Sequence, residues 1–497
     1  MKLRALMYSS HSDKKMKINE IVKLCKENGK REKHSAEVER ITSIFPSERQ
    51  LRLCDMEYYS FIHFGINTIN NVEWGKGSEN IAAFNPKKLD TDQWCRILKE
   101  TGSKGVIITA KHHDGFCLWA TKETDHCVTN TPFKKDIVKM LSESCRKYDL
   151  KLGIYLSPWD RHEKSYGTDE YNDFYVRQLT ELCTNYGELF CLWFDGACGE
   201  GPNGKKQVYD WQRYYRTIRE LQPDAVINIC GPDVRWIGNE AGVVRESEWS
   251  VVPADKEKTE AVMENSQQTD DGGKEVQKTD ERDADLGSRE VLRRYDELVF
   301  KPAEADVSIN LGWFWHNNLY YLFKKKRTAE KLADIYFKTV GGNASLLLNI
   351  PPNKDGLIDK REIRTLQKFT SLINEPFRSE IKDFRLTLIA DDETERAYPE
   401  NGSYTFRDDE SIVRISFEKS QKVSTVVIRE DLRFSQRVES FSVFAKENGG
   451  YTEVGKGTVI GSKKIVRLNK KVQTDEILFA VTGTRGNPVI RDIAFYN

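Results

Sequence analysis

Two carboxylates and a set of imidazole and aromatic side chains stand just past apolar runs in this sequence. Leu189-Phe190-Cys191-Leu192-Trp193-Phe194 ends abruptly in Asp195, followed by Gly196. The run is too short for a helix and is framed by turn residues, which predicts a buried strand. A carboxylate there has two readings. It is a helix N-cap, or it is a chemical group, because burying an unpaired carboxylate costs several kcal/mol. Comparable positions hold His63, His112 and His113, Tyr155 and Trp159, and Trp236 with Glu240. Singly, each has a plain reading as a hydrogen-bonded structural histidine or a core tryptophan. The pair His112-His113 suggests a metal, but neighbours on a strand point to opposite faces. Hydrogen bonding to a polyhydroxylated ligand is preferred, and neither a metal nor a cofactor is expected. Aromatic faces, histidines and two carboxylates together describe a sugar site. One carboxylate as nucleophile and one as acid/base is the minimum for glycoside hydrolysis.

The elements that must position these groups are apolar strands alternating with amphipathic helices. Strands are predicted at Phe61–Gly65, Gly105–Ala110, Lys151–Leu156, the Asp195 run, Ala225–Ile229, Asp306–Ile309 and Ser345–Ile350. Helices are expected near Ile137–Tyr148, Tyr171–Tyr186, Tyr209–Leu221 and Lys324–Val340, with Arg235–Glu240 as a loop. This alternation implies a parallel sheet. Close to eight strands over residues 44–377 favour a closed (β/α)8-like barrel, whose strand ends carry the chemistry. An open doubly wound sheet is the alternative, but no G-x-G-x-x-G follows the first strand. Residues 253–286 are almost wholly polar and lack aromatics, so a disordered insertion is expected there. Residues 1–43 read as a charged, partly helical or loose extension. From 378 to 497 the period changes to two, which predicts a separate antiparallel β-sandwich, either a carbohydrate-binding module or a structural prop, the prop being preferred.

Lys plus Arg equal Asp plus Glu at 77 each, and the balance argues against nucleic acid or an anionic membrane as partner. No apolar run reaches the length of a membrane span. The ten cysteines lie between Cys25 and Cys230 without C-x-x-C spacing, as expected of free thiols in a reducing compartment. The N-terminal residues lack the apolar centre of a secretory signal, so a cytoplasmic location is expected.

The motifs F-I-H-F-G-x-N-T, E-W-G, K-H-H-D-G-F, L-W-F-D-G and R-W-x-G-N-E-A-G, in this order, resemble retaining α-L-fucosidases of glycoside hydrolase family 29. The G-N-E-A-G form and the later D-V-S-I-x-x-G-W-F are similar to the subgroup cleaving α-1,3- and α-1,4-linked fucose from branched glycans. The resemblance spans about residues 44–497. It implies Asp195 as nucleophile and Glu240 as acid/base. It also implies that His63, Glu73, Trp74, His112, His113 and Tyr155, with Trp193 beside Asp195, hold the fucose ring, and that Trp313 forms an aromatic wall. Asp195 should then be ionised and Glu240 raised in pKa, their carboxyls roughly 5–5.5 Å apart. Where the subgroup commonly reads Arg-Pro, this chain has Asn310-Leu311. Arg161 and His162 are candidate contacts for a galactose on the leaving sugar, or else a surface salt bridge. A broad-specificity fucosidase, a barrel glycosidase acting on another sugar and a catalytically inert glycan-binding protein are the alternatives.

Overall fold

The computed structural model describes residues 15–27, 31–265, 285–317, 326–399 and 402–497. Eight parallel strands form the first sheet. They are β1 (Tyr58–Ile62), β2 (Gly105–Lys111), β3 (Lys151–Leu156), β4 (Leu189–Phe194), β5 (Val226–Ile229), β6 (Arg235–Trp236), β7 (Ala303–Ser308) and β8 (Ala344–Asn349). Their spatial order runs β5-β4-β3-β2-β1-β8-β7-β6. The sheet nearly closes between β5 and β6, where the Ile229 amide donates to the Val234 carbonyl at 3.1 Å. Every residue of β1, β2 and β8 is buried, as in sheets covered on both faces.

Helices Thr91–Glu100, Ile137–Tyr148, Asp169–Asn185, Trp211–Leu221, Ala329–Thr339 and Lys360–Asn374 pack outside. Asp90, Asp136, Asp210 and Thr328 each accept a backbone N–H at the start of their helices, which fixes where each loop from a strand's C-terminal end re-enters the wall. One expectation changes here. Arg235–Trp236 is the short strand β6 and not a loop, reached directly from β5 without a helix. Between β6 and β7 the chain makes a long excursion, in which Val251–Pro253 and Leu298–Phe300 form an antiparallel pair not foreseen from the sequence.

The expected disorder at 253–286 fails for its first part. Ala254–Glu257 is a 3-10 turn and Thr259–Asn265 a helix, because Val262 supplies a buried apolar anchor in an otherwise polar stretch. The remainder, 266–284, lies outside the described residues. The amino-terminal segment is not loose where it is described. Helix Ile18–Glu27 buries Ile21, Val22 and Cys25 against Ile389, Phe444 and Leu478 of the second sheet.

That second sheet is antiparallel and folds over its own core, which includes Val413, Phe441 and Phe479. Two long strands, Glu410–Glu430 and Lys464–Arg485, run through both layers, with register shifts at Ser416/Gln421 and Val423/Thr425. Such bulges bend a strand, so Val413–Phe417 and Thr425–Ile428, two apolar runs in the sequence, belong to one strand. The sheet docks at the N-terminal ends of the barrel strands. Lys463 Nζ reaches Glu57, just before β1, at 2.7 Å, and Ile465 donates to the Gly341 carbonyl before β8 at 3.1 Å. The opposite end of the barrel is left open.

Candidate active site

Inside the barrel, β7 (Ala303-Glu304-Ala305-Asp306-Val307-Ser308) alternates small apolar with polar residues, and its period of two sends Glu304, Asp306 and Ser308 inward. Glu304 is fully buried below the open end. It accepts from the Tyr59 hydroxyl, from Trp193 Nε1 at 2.7 Å and from Asn228 Nδ2 at 2.7 Å. Burial raises its carboxyl to about 7, against the pull of those three donors. The Trp193 indole is thereby pinned, and the Tyr155 ring stacks on it at 5.4 Å.

Above this floor lies a pocket that opens to solvent. His63, Trp74, His112, His113, Tyr155, Trp193, Asp195, Glu240 and Trp313 all line it. Only Glu73 of the expected set stands behind the wall. It binds His316 and accepts from the Trp313 amide at 2.8 Å. Its carboxylate occupies the space a Cβ on Gly312 would need, 1.9 Å from Oε1, which is why glycine precedes Trp313. The strand alternation argued for His112 and His113 does not hold. Both follow the end of β2, where the pairing with β3 has shifted register, and their rings are 4.1 Å apart on the same pocket.

The histidine protonation states follow from their partners. Asn349 donates through Nδ2 to the Trp313 carbonyl (2.8 Å), so its Oδ1 faces His63 Nδ1 at 2.9 Å and accepts from it. Ser157 donates to the Trp159 carbonyl and therefore accepts from His113 Nδ1 at 2.7 Å. Each ring thus carries its proton on Nδ1 and keeps Nε2 as an acceptor. Burial depresses His63 to about 3, and burial, opposed by the Asp195 charge, depresses His113 to about 4. His112 is also driven down, by burial and by its two histidine neighbours. The pocket therefore offers neutral imidazoles.

Asp195 follows β4 and is held by neutral donors. Its Oδ2 accepts from the Tyr155 hydroxyl at 2.8 Å, and its Oδ1 from the Ala197 amide at 2.8 Å. His113 Nε2 is 3.8 Å from Oδ2. Glu240 stands on the wall beside Trp236, with its carbonyl bound by Arg327 at 2.8 Å. Arg161 and His162 do not line the pocket. Arg161 donates to the Gly75 carbonyl (2.8 Å), and His162 Nδ1 binds the Gly77 carbonyl (2.6 Å). They clasp the loop that carries Trp74, and among the described residues neither forms a salt bridge.

The model of the alpha-L-fucosidase family matches residues 55–375. An Arabidopsis thaliana protein named alpha-L-fucosidase 1 is 35% identical over 470 residues, covering 91% of this chain and 87% of that one. A glycoside hydrolase 29 structure from an unknown rumen bacterium is 33% identical with a TM-score of 0.73, covering 91% of this chain and 77% of that one. A Ruminococcus gnavus family 29 fucosidase solved with fucose is 28% identical with a TM-score of 0.74, covering 91% and 95%. This chain belongs to the alpha-L-fucosidase family, glycoside hydrolase family 29. It is a glycoside hydrolase acting on fucosylated glycans.

For a fucosidase the pocket chemistry is apt, since the Nε2 acceptors and aromatic faces suit the hydroxyls and apolar face of a deoxy sugar. Two features escaped the sequence reading. Asp306 lines the pocket next to Trp236 and Glu240, and Asn349 and Ser157 set the imidazole tautomers. The polar-apolar alternation of β7 was the available signal for Asp306. Asn349 and Ser157 had none, because their role depends on cross-strand partners.

Proposed function

We propose that this enzyme is a retaining exo-α-L-fucosidase selective for α-1,3- and α-1,4-linked fucose, with Asp195 as nucleophile and Glu240 as acid/base. The observation that carries the reading is that these two carboxyl groups line one pocket, with Asp195 aligned only by a phenol and a peptide N–H. In the first displacement Asp195 Oδ attacks the anomeric carbon while Glu240 gives its proton to the departing glycosidic oxygen. In the second, water attacks the fucosyl ester, its proton passes to Glu240, and Asp195 leaves as carboxylate. Two inversions return the original anomer. The linkage preference is supported by the G-N-E-A-G form of the Glu240 loop and by the D-V-S-I-x-x-G-W-F motif that ends in Trp313.

The test is Asp195→Gly with and without azide, alongside wild-type hydrolysis of Lewis a, Lewis x and 2'-fucosyllactose. The variant should lose about a thousandfold or more in turnover, and azide should restore part of it with a fucosyl azide of inverted configuration. A variant that keeps a tenth of the activity removes Asp195 from the chemistry. Equal specificity constants for 2'-fucosyllactose and the Lewis sugars remove the linkage assignment.

A further inference from the structure

Asp306 is a pocket carboxyl for which the two-displacement scheme has no use. It stands at the open end of β7, 4% exposed, on the wall it shares with Trp236 and Glu240. Its Oδ1 accepts from Trp236 Nε1 at 2.6 Å, and among the described residues no other donor is bound to it. The charged groups facing it are Glu240 from the loop after β6, Glu304 one layer below on β7, and Arg327 ahead of helix Ala329–Thr339. Of the adjoining strands, β6 presents the neutral Trp236 and β8 places Leu347 opposite Asp306. Arg327 spends its guanidinium on the carbonyls of Glu240, Ser308 and Asn310, bonding to neither carboxyl.

We propose that Asp306 and Glu240 form a carboxyl pair holding one proton between them, with Asp306 the positioning residue that keeps the proton on Glu240 until the glycosidic oxygen takes it. The inference rests on the acid/base reading of Glu240 and deepens it. Two carboxyl groups that line one pocket, one of them nearly buried, resist double ionisation, so the last proton leaves at a higher pH than it would from either alone. Burial and then the Glu240 charge indeed push the Asp306 carboxyl well above the usual range. The indole hydrogen biases the location of the shared proton. By stabilising the Asp306 anion it leaves the proton on Glu240, the member that faces the leaving group. Once Glu240 has given the proton away, the Asp306 charge makes it the stronger base for recovering a proton from water.

The experiment compares pH profiles of kcat/KM on a fucosylated sugar for wild type, Asp306→Asn and Glu240→Ala. The Asn side chain still accepts the Trp236 hydrogen but carries no charge. The basic limb should move down by about one pH unit on the fucosylated sugar, and by less on an aryl fucoside whose leaving group needs no proton. A limb left in place overturns the inference, as does a uniform loss at every pH, which makes Asp306 a packing residue. Glu240→Ala separates the two claims. It must abolish the basic limb and lower kcat/KM far more for the fucosylated sugar than for an aryl fucoside, whose first displacement needs no proton; if it does neither, the acid/base reading fails and this inference with it. Should the Asn variant not fold, Asp306→Ser, whose hydroxyl still accepts from the indole, gives the same measurement.

Discussion

Carboxyl groups are held in two different ways in the pocket and at the seam between the barrel and the second sheet. In the pocket and its floor the partners are neutral. A phenol and a peptide N–H hold Asp195, an indole holds Asp306, and a phenol, an indole and an amide hold Glu304. Where the excursion after β6 meets the second sheet, the partners are guanidinium groups. Glu439 lies between Arg289 at 2.8 Å and Arg485 at 3.5 Å, and the Arg485 guanidinium sits 3.3 Å above the Trp249 ring. Arg235 likewise binds Glu248. A guanidinium is charged at every working pH and fixes its partner as an anion. A neutral donor orients a carboxyl group and leaves its charge or proton available for reaction. The seam therefore serves stability, and the mouth serves chemistry.

The largest effect that tests this contrast is at the seam. Glu439→Gln removes the carboxylate between two nearly buried guanidiniums, and breaking such a pair from one side costs about 3 kcal/mol or more. Chemical denaturation should register that loss, whereas kcat/KM per folded molecule should remain within about twofold, since the change lies far from the strand ends that carry the chemistry. A loss of activity without a loss of stability breaks the division between the seam and the pocket. Next in size is Tyr155→Phe at the mouth. It keeps the ring stacked on Trp193 but removes one of two donors to Asp195. If Asp195 is the nucleophile as proposed, loss of this donor should lower kcat by about a hundredfold, with denaturation midpoints nearly unchanged. Tyr155 would join the seam class if the variant lost stability and kept its kcat.

Much of this arrangement was legible in the sequence, because the barrel strands are apolar runs and the reactive side chains stand immediately after them. Asp195 is placed by that rule, and Trp193 and Tyr155 stand one residue before the ends of their strands. The misreadings share a cause. Arg235–Trp236 is two residues long, too short for any periodicity, and is a strand only because Ala303 and Glu304 pair with it. His112 and His113 share a face because the chain has left the strand, which a rule for regular strands does not cover. Arg161 and His162 lie after a strand as reactive groups do, yet their partners are the carbonyls of Gly75 and Gly77, about eighty residues earlier in the chain. A sequence displays which side chain follows a strand, but not which distant backbone carbonyl it meets.

The smallest effect predicted is an absence of change, and it tests the neutral character of the mouth. A histidine with its ordinary pKa near 6.5 would switch Nε2 from acceptor to donor across mild acid. His63 and His113 do not follow that course, because burial lowers them to about 3 and about 4. With the folded values depressed, both rings stay neutral as pH falls through 6.5, and they protonate only on approaching 4. Down to that point a hydroxyl of the bound sugar keeps donating to Nε2, while Nδ1 keeps donating to Asn349 or Ser157. The dissociation constant of fucose for the Asp195→Gly variant, in which hydrolysis does not intervene, should therefore vary by less than about twofold between pH 5 and 8 and weaken below about pH 4. Calorimetric titration across that range is the direct measurement. A break in affinity near pH 6.5 that survives both Glu304→Gln and Asp306→Asn, the two carboxyls that burial raises toward that range, would mean that at least one imidazole enters the complex charged, and the acceptor pattern drawn from the Asn349 and Ser157 bonds would have to be reversed at that ring. Asn349→Asp then identifies which one. A carboxylate at that position stabilises the imidazolium of His63 and should bring the break up toward pH 6, while leaving the His113 contribution where it was.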